Sequence, residues 1–222
     1  GIRHFIFSSS AAVYGEPQQT PISEDHPCAP ENPYGATKLA VERVLHDVSQ
    51  ANGMTWSVLR YFNAAGADAS GKIGERHQPE THLIPLVIQV ATGERESIKI
   101  FGEDYPTPDG TCLRDYIHVE DLASAHLDAL RYLRDGGESV TLNCGYGHGY
   151  SVREVLAAVE KAHGAPLPVE EGPRRPGDPP ILIAVAEKIH KLLGWKPQYD
   201  DLDFIVTSQL NWEKHLLKNP AR

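Results

Sequence analysis

The chain has 222 residues, 41% hydrophobic and 23% charged, an ordinary balance for a globular protein with room for one large domain or one and a half smaller ones. Its formal net charge of −9 argues against general nucleic-acid binding. No apolar run approaches the ~20 residues of a membrane span, and there is no secretory signal. Cys28, Cys112 and Cys144 stand far apart with no C-x-x-C pair. That pattern fits reduced thiols and a cytoplasmic location. The 11 histidines show no metal-ligand spacing on a helix face, so no metal is expected.

Residues 3–7 read as a buried strand running into Ser8-Ser9-Ser10. Residues 15–33 are rich in Pro, Glu and Gln and read as a loop over a site. A helix follows, with Asn32 as N-cap, Pro33 at its first position and Gly53 as its stop. Tyr34, Lys38, Val41, Leu45 and Val48 form a stripe expected to face the sheet. Residues 56–62 read as the next parallel strand, ending at Asn63, which makes a βαβ unit. Ligands of such sheets sit beyond the carboxyl ends of the strands, where Ser10 and Asn63 stand.

Residues 64–80 read as loop and 82–92 as helix. Residues 97–101 read as a short strand and 102–112 as a long turn-rich loop. Residues 114–119 lead into a helix reaching about position 133, and 140–144 form another strand. Ser151-x-x-Glu154 is a capping box opening a helix that stops at Gly164. An Arg- and Pro-rich loop spans 173–180, then two more helices run to about 217, and the last few residues are expected to fray. There is no internal repeat.

The chemistry-bearing pattern is Ser10 followed by Tyr34-x-x-x-Lys38. The four-residue spacing puts phenol and ammonium on one helix face, and a nearby cation favours the phenolate. Such a tyrosine can take a proton from an alcohol while hydride leaves the same carbon. A lysine on a core-facing stripe can also snorkel to solvent; function is the preferred explanation here. Gly145-x-Gly147-x-Gly149 imitates a dinucleotide fingerprint, but Tyr150 stands where the last glycine belongs, and the expected acidic residue downstream is missing. It reads as a flexible strand-to-helix turn, so the nicotinamide that the Tyr/Lys chemistry requires finds no phosphate-cradling loop in these residues.

Four segments, SSSAAVYG (8–15), NPYGATK (32–38), RYFNAAGA (60–67) and THLIP (81–85), resemble the UDP-glucose 4-epimerases, a branch of the extended short-chain dehydrogenases. So do IFGEDYPTPDGTCLRDYIHVEDL (100–122) and PRRPGD (173–178), and the likeness runs from residue 3 to about 212. The resemblance implies interconversion of UDP-glucose and UDP-galactose through transient NAD-dependent oxidation at the sugar C-4. It implies Tyr34 as base, Lys38 on the nicotinamide ribose, and Ser10 bridging sugar oxygen and phenol. Ser8, Ser9, Ser10, Tyr34, Lys38 and Phe62 would touch NAD. Asn63 and His82 would meet the diphosphate, and Lys99, Ile100 and Phe101 would flank the uracil. Arg114 and Arg175 would grip the diphosphate, as bidentate guanidinium groups suit. Asp178 would touch the ribose. For either arginine alone, a surface salt bridge is an equal alternative.

Three departures from the family pattern stand out. His82 replaces a common Asn, Val185 replaces a common Asp, and Leu182 occupies the position whose size is linked to acceptance of N-acetylated sugars. An intermediate Leu argues against, without deciding, that acceptance. The family also begins with a Gly-rich fingerprint and further βα units, roughly a hundred residues at ~30 per unit, with no counterpart here. The chain is therefore expected to be the C-terminal part of an epimerase that neither binds NAD tightly nor turns over alone.

The expected fold is α/β: part of a doubly wound, Rossmann-like parallel sheet plus a smaller mixed α/β substrate domain. Residues 1–63 would belong to the nucleotide domain and 64–222 mainly to the sugar-nucleotide domain, with segments near 113–146 returning to the first. A homodimer through helix 33–52 is expected of the full-length protein. The rival enzyme is a 4,6-dehydratase, which carries Thr-Asp-Glu where this chain has Ser8-Ser9-Ser10. A non-catalytic fragment with an exposed sheet edge is the rival of another kind.

Overall fold

Strand β1 (His4–Ser10) carries the first apolar run into the serines. The computed structural model describes residues 1–219; residues 220–222, where fraying is expected, lie outside it. A short 3-10 turn (Ala11–Val13) and an irregular loop lead to α1 (Pro33–Asn52). Asn32 caps α1 by accepting from the Gly35 amide, and Gly53 ends it in the left-handed conformation at φ 68°. Then follow β2 (Thr55–Tyr61), β3 (Asn63–Ala65), α2 (Leu83–Ala91) and β4 (Ile98–Phe101). Next come β5 (Leu113–Arg114), β6 (Tyr116–His118), α3 (Val119–Arg134) and β7 (Val140–Cys144). The chain closes with β8 (Tyr150–Ser151), α4 (Val152–His163), β9 (Val169–Gly172), β10 (Ile181–Leu182), α5 (Glu187–Leu193) and α6 (Leu202–Lys218).

Strands β1, β2 and β7 form a parallel sheet in the order β1-β2-β7, as the βαβ pattern requires. Alternation along the strands sends successive side chains to opposite faces. Phe7 and Val58 join Leu45 of α1 on one face. Leu59 and Leu142 join Leu122, Ala125 and Ala129 of α3 on the other. The main core continues into Ile84 and Ile88 of α2, Val155 and Val159 of α4, and Ile205 and Leu210 of α6. Among the described residues, no helix is long and apolar enough to cross a membrane.

The packed face of α1 differs from the expected stripe. Tyr34 is 56% exposed, and Val41, Val44 and Val48 also face outward. The residues that pack are Gly35, Glu42 and Leu45, with Lys38 half-buried. Close approach decides this: a Cβ on Gly35 would lie 2.3 Å from the Ala12 carbonyl oxygen, so only glycine lets the helix sit so near the 3-10 turn. Strand β3 occupies the start of what reads as loop, paired with β6, and the pairs β4–β9 and β10–β5 also escape the sequence reading. His118 is fully buried and caps α3 by accepting the Glu120 amide.

Candidate active site

At the carboxyl end of β1, Lys38 Nζ donates to the Ser8 carbonyl oxygen at 2.9 Å. The same ammonium lies 5.5 Å from the Tyr34 ring centre. Phenol and ammonium thus share one end of α1, as their spacing requires. The Ser10 hydroxyl accepts from the Ala12 amide at 3.2 Å, which aims it at the turn after β1. Ser10, Phe62, Asn63 and Leu182 line one hollow of about 240 Å³, together with Asn32 and Gly177. Tyr34 stands outside that lining.

Asn63 also lines a larger cleft of about 380 Å³, so the two hollows meet at this residue. The cleft gathers His82, Lys99, Phe101, Arg114, Arg175 and Asp178 from segments far apart in sequence. The Arg175 guanidinium lies 3.9 Å from the Phe101 ring centre. Arg114 forms an ion pair with Asp178 and is largely buried, so it is a preset cation and not a surface salt bridge. Three cations and an aromatic face suit a nucleotide diphosphate. Arg95 lines the cleft as well, though nothing in its sequence context separates it from a surface charge after a helix.

Two expected contacts are not met. Ser9 alternates to the opposite face from Ser8, is buried, and donates to Glu42 Oε1 at 2.6 Å. Its hydroxyl is committed inside the protein and does not face a cofactor. Ile100 is buried and does not line the cleft that Lys99 and Phe101 share.

Ser8 stands on the opposite face of β1 from Ser9, toward Tyr61 and His126. The Tyr61 hydroxyl lies 2.6 Å from Ser8 Oγ and 2.5 Å from His126 Nε2. His126 Nδ1 is 2.8 Å from the Leu122 carbonyl, which fixes the proton on Nδ1 and leaves Nε2 to accept. Burial, more than any neighbour, pushes the Tyr61 phenol up to about 12, so it stays a donor.

The glycine-rich turn is filled from within. The Asp115 carboxylate accepts the amides of Tyr146 (2.8 Å), Gly147 (3.0 Å) and Ala184 (3.2 Å). A Cβ on Gly145 would stand 2.6 Å from that carboxylate. These amides therefore hold a side chain of the protein, and a pyrophosphate has no place on them. Burial outweighs the three bonds and raises the Asp115 carboxyl to about 6.

A further cluster borders the cleft where no metal-ligand spacing on a helix is found. Glu75, His77, Glu80 and His82 converge from the loop before α2.

Residues 1–145 match the family model of the NAD dependent epimerase/dehydratase family. The chain belongs to this family. It is 53% identical over 213 residues to a UDP-glucose 4-epimerase of Halalkalibacterium halodurans, covering 96% of this chain and 64% of that protein. A crystal structure of a UDP-glucose 4-epimerase superposes with a TM-score of 0.94 at 51% identity, over 98% of this chain and 65% of the other. The enzyme of Stenotrophomonas maltophila, solved with NAD and formylated UDP-arabinopyranose, also gives 0.94, at 42% identity, over 98% and 65% of the two chains. The chain thus spans about 64% of the length of that relative. The expected α/β fold with its Rossmann-like parallel sheet is the fold of this family.

Proposed function

We propose that this chain carries the proton-transfer and sugar-nucleotide parts of a UDP-glucose 4-epimerase. The observation that carries the reading is the meeting of two hollows at Asn63: one with Ser10 and Phe62, the other with Arg114, Arg175 and Phe101. A UDP-sugar laid across them puts its diphosphate beside the arginines and its sugar toward Ser10. UDP-glucose and UDP-galactose are the proposed substrates.

The end of the parallel strands fits the nicotinamide half of NAD, because Lys38 and Ser8 lie together there. Ser8, Ser10, Tyr34, Lys38 and Phe62 would hold it. When bound, NAD would supply the hydride acceptor and donor for the sugar C-4. Tyr34 takes the 4-hydroxyl proton and gives it back, and Ser10 holds the sugar oxygen during the exchange. Lys38 keeps positive charge beside the phenol. The 4-keto sugar turns within the hollow while the arginines keep the diphosphate in place.

A homodimer through α1 belongs to the proposal, supported by the exposed Val41, Val44 and Val48. The free cysteines fit the cytoplasm. Residues 1–63 serve the cofactor end, and the rest mainly the sugar nucleotide.

The test separates binding from chemistry, in this chain preceded by the Gly-rich N-terminal segment of a family member and loaded with NAD. Tyr34→Phe should leave UDP affinity unchanged and slow conversion of UDP-galactose by about a hundredfold or more. Equal rates for variant and wild type would remove Tyr34 from the mechanism.

A further inference from the structure

We propose that Glu75, His77, Glu80 and His82 form a binding site for one divalent transition-metal ion of the zinc class. Each residue offers one ligand atom, and the four atoms lie within 4.8 Å of one another. Glu80 Oε1 is 2.8 Å from His82 Nδ1 and 3.8 Å from His77 Nδ1. Glu75 Oε1 is 3.8 Å from His82 Nδ1. Tetrahedral zinc with bonds of ~2.0–2.2 Å needs ligand atoms roughly 3.4 Å apart. The widest pairs therefore need to close by up to about 1.4 Å and the Glu80–His82 pair to open by about 0.6 Å, within reach of the exposed side chains of Glu75 and His77.

The loop is anchored at both ends. Trp212 on α6 donates to the Glu75 carbonyl at 2.8 Å, and its indole fills the place where Gly74 would carry a side chain. At the other end Glu80 accepts the amides of Thr81 (2.6 Å) and His82 (2.7 Å), and its side chain is only 7% exposed. The ligands are thus presented by a held segment before α2.

Two imidazoles with two carboxylates are the donor set of zinc, cobalt or nickel. Magnesium, which prefers oxygen alone and keeps its waters, does not suit them. The Glu213 carboxyl is raised by burial first, against a lowering hydrogen bond from Gln209, and the charges of Glu94, Glu80 and Glu75 add to the rise, so negative charge gathers on this side. The ion's role is to clamp residues 75–82. Thr81 and His82 line the nucleotide cleft, so the clamp sets part of its wall. The pattern Glu-x-His-x-x-Glu-x-His is present in the sequence, but on a loop, where helix-face spacing does not reveal it.

The test uses the 222-residue protein stripped by chelator and titrated with Co²⁺, then Zn²⁺. One equivalent of Co²⁺ should give visible d–d absorption, displaced by one equivalent of Zn²⁺ and untouched by millimolar Mg²⁺. Saturating Zn²⁺ should raise Tm by about 5 °C. Glu75→Gln and His77→Ala, both at exposed side chains, should match the metal-free wild type in Tm and weaken Zn²⁺ binding by about tenfold or more. Binding weaker than millimolar, or affinity unchanged in both variants, would overturn the site.

Discussion

Glu42 of α1 and Arg60 of β2 meet in a buried two-pronged ion pair, Nε to Oε1 at 3.0 Å and Nη2 to Oε2 at 2.6 Å. Their side chains are 9% and 7% exposed, and Ser9 of β1 donates to the same carboxylate. The Arg60 guanidinium also covers the Tyr14 ring, whose hydroxyl donates to Asn143 of β7. One network thus ties the helix bearing Tyr34 and Lys38 to all three strands of the parallel sheet. Arg60→Met strands a buried carboxylate and should lower stability by about 3–5 kcal/mol in urea unfolding. Adding Glu42→Leu should recover most of that loss, because an apolar pair needs no desolvated charge. Equal losses in the single and double variants would contradict a paired role.

Gly35 sets how closely α1 approaches the turn after β1. In an exposed helix Gly→Ala stabilises by up to about 1 kcal/mol. Here the added methyl meets the Ala12 carbonyl oxygen at 2.3 Å, so Gly35→Ala should destabilise by about 1–3 kcal/mol. The shift moves Tyr34 and Lys38, so turnover should fall more than UDP affinity does. A stabilised variant would show that the helix is free to retreat.

Burial lowers the pKa of His118, so the folded protein holds this imidazole neutral. Its Nδ1 accepts the Glu120 amide, which protonation forbids. The unfolded chain takes up the proton near pH ~6.5, so the His118 contribution is present above that pH and lost below it. Asp115 acts with the opposite sign: its carboxyl, raised to about 6, makes folding more favourable as pH falls from there toward the unfolded carboxylate value. The two are separated by difference. Thermal unfolding of the wild type should lose more stability than His118→Gln between pH 7.5 and 5.5, and parallel curves would rule out His118 as the source.

Arg175 stacks on Phe101 in the cleft, with no carboxylate partner assigned to its guanidinium among the ion pairs of the described residues. Arg175→Ala should weaken UDP binding by about 10–100-fold in calorimetric titration, with little change in Tm. Unchanged affinity would place the diphosphate elsewhere.

Signals carried by a single residue's backbone preference were legible in the sequence. Asn32, Pro33 and Gly53 bound α1, and Ser151 with Glu154 opens α4 through a capping box in which both bonds form. Signals that depend on tertiary approach were not. Three valines outweigh Gly35 in any apolar count, yet the glycine makes the contact. Glu42 lies outside the apolar stripe, and only Arg60 from the next strand makes it a packed residue. Ser9 shares a serine run with Ser8 and Ser10, and only the pleat separates its role from theirs. The cleft residues come from β3, α2, β4, β5 and the loop before β10, which sequence spacing cannot bring together and family resemblance can.

The most direct measurement is proton NMR of UDP-galactose incubated with NAD and this chain preceded by the Gly-rich N-terminal segment of a family member, following the anomeric signals. The expected result is growth of the UDP-glucose signal to a constant ratio, reached also from UDP-glucose. Unchanged signals, or a 4-keto-6-deoxy product formed with loss of water, would contradict a 4-epimerase.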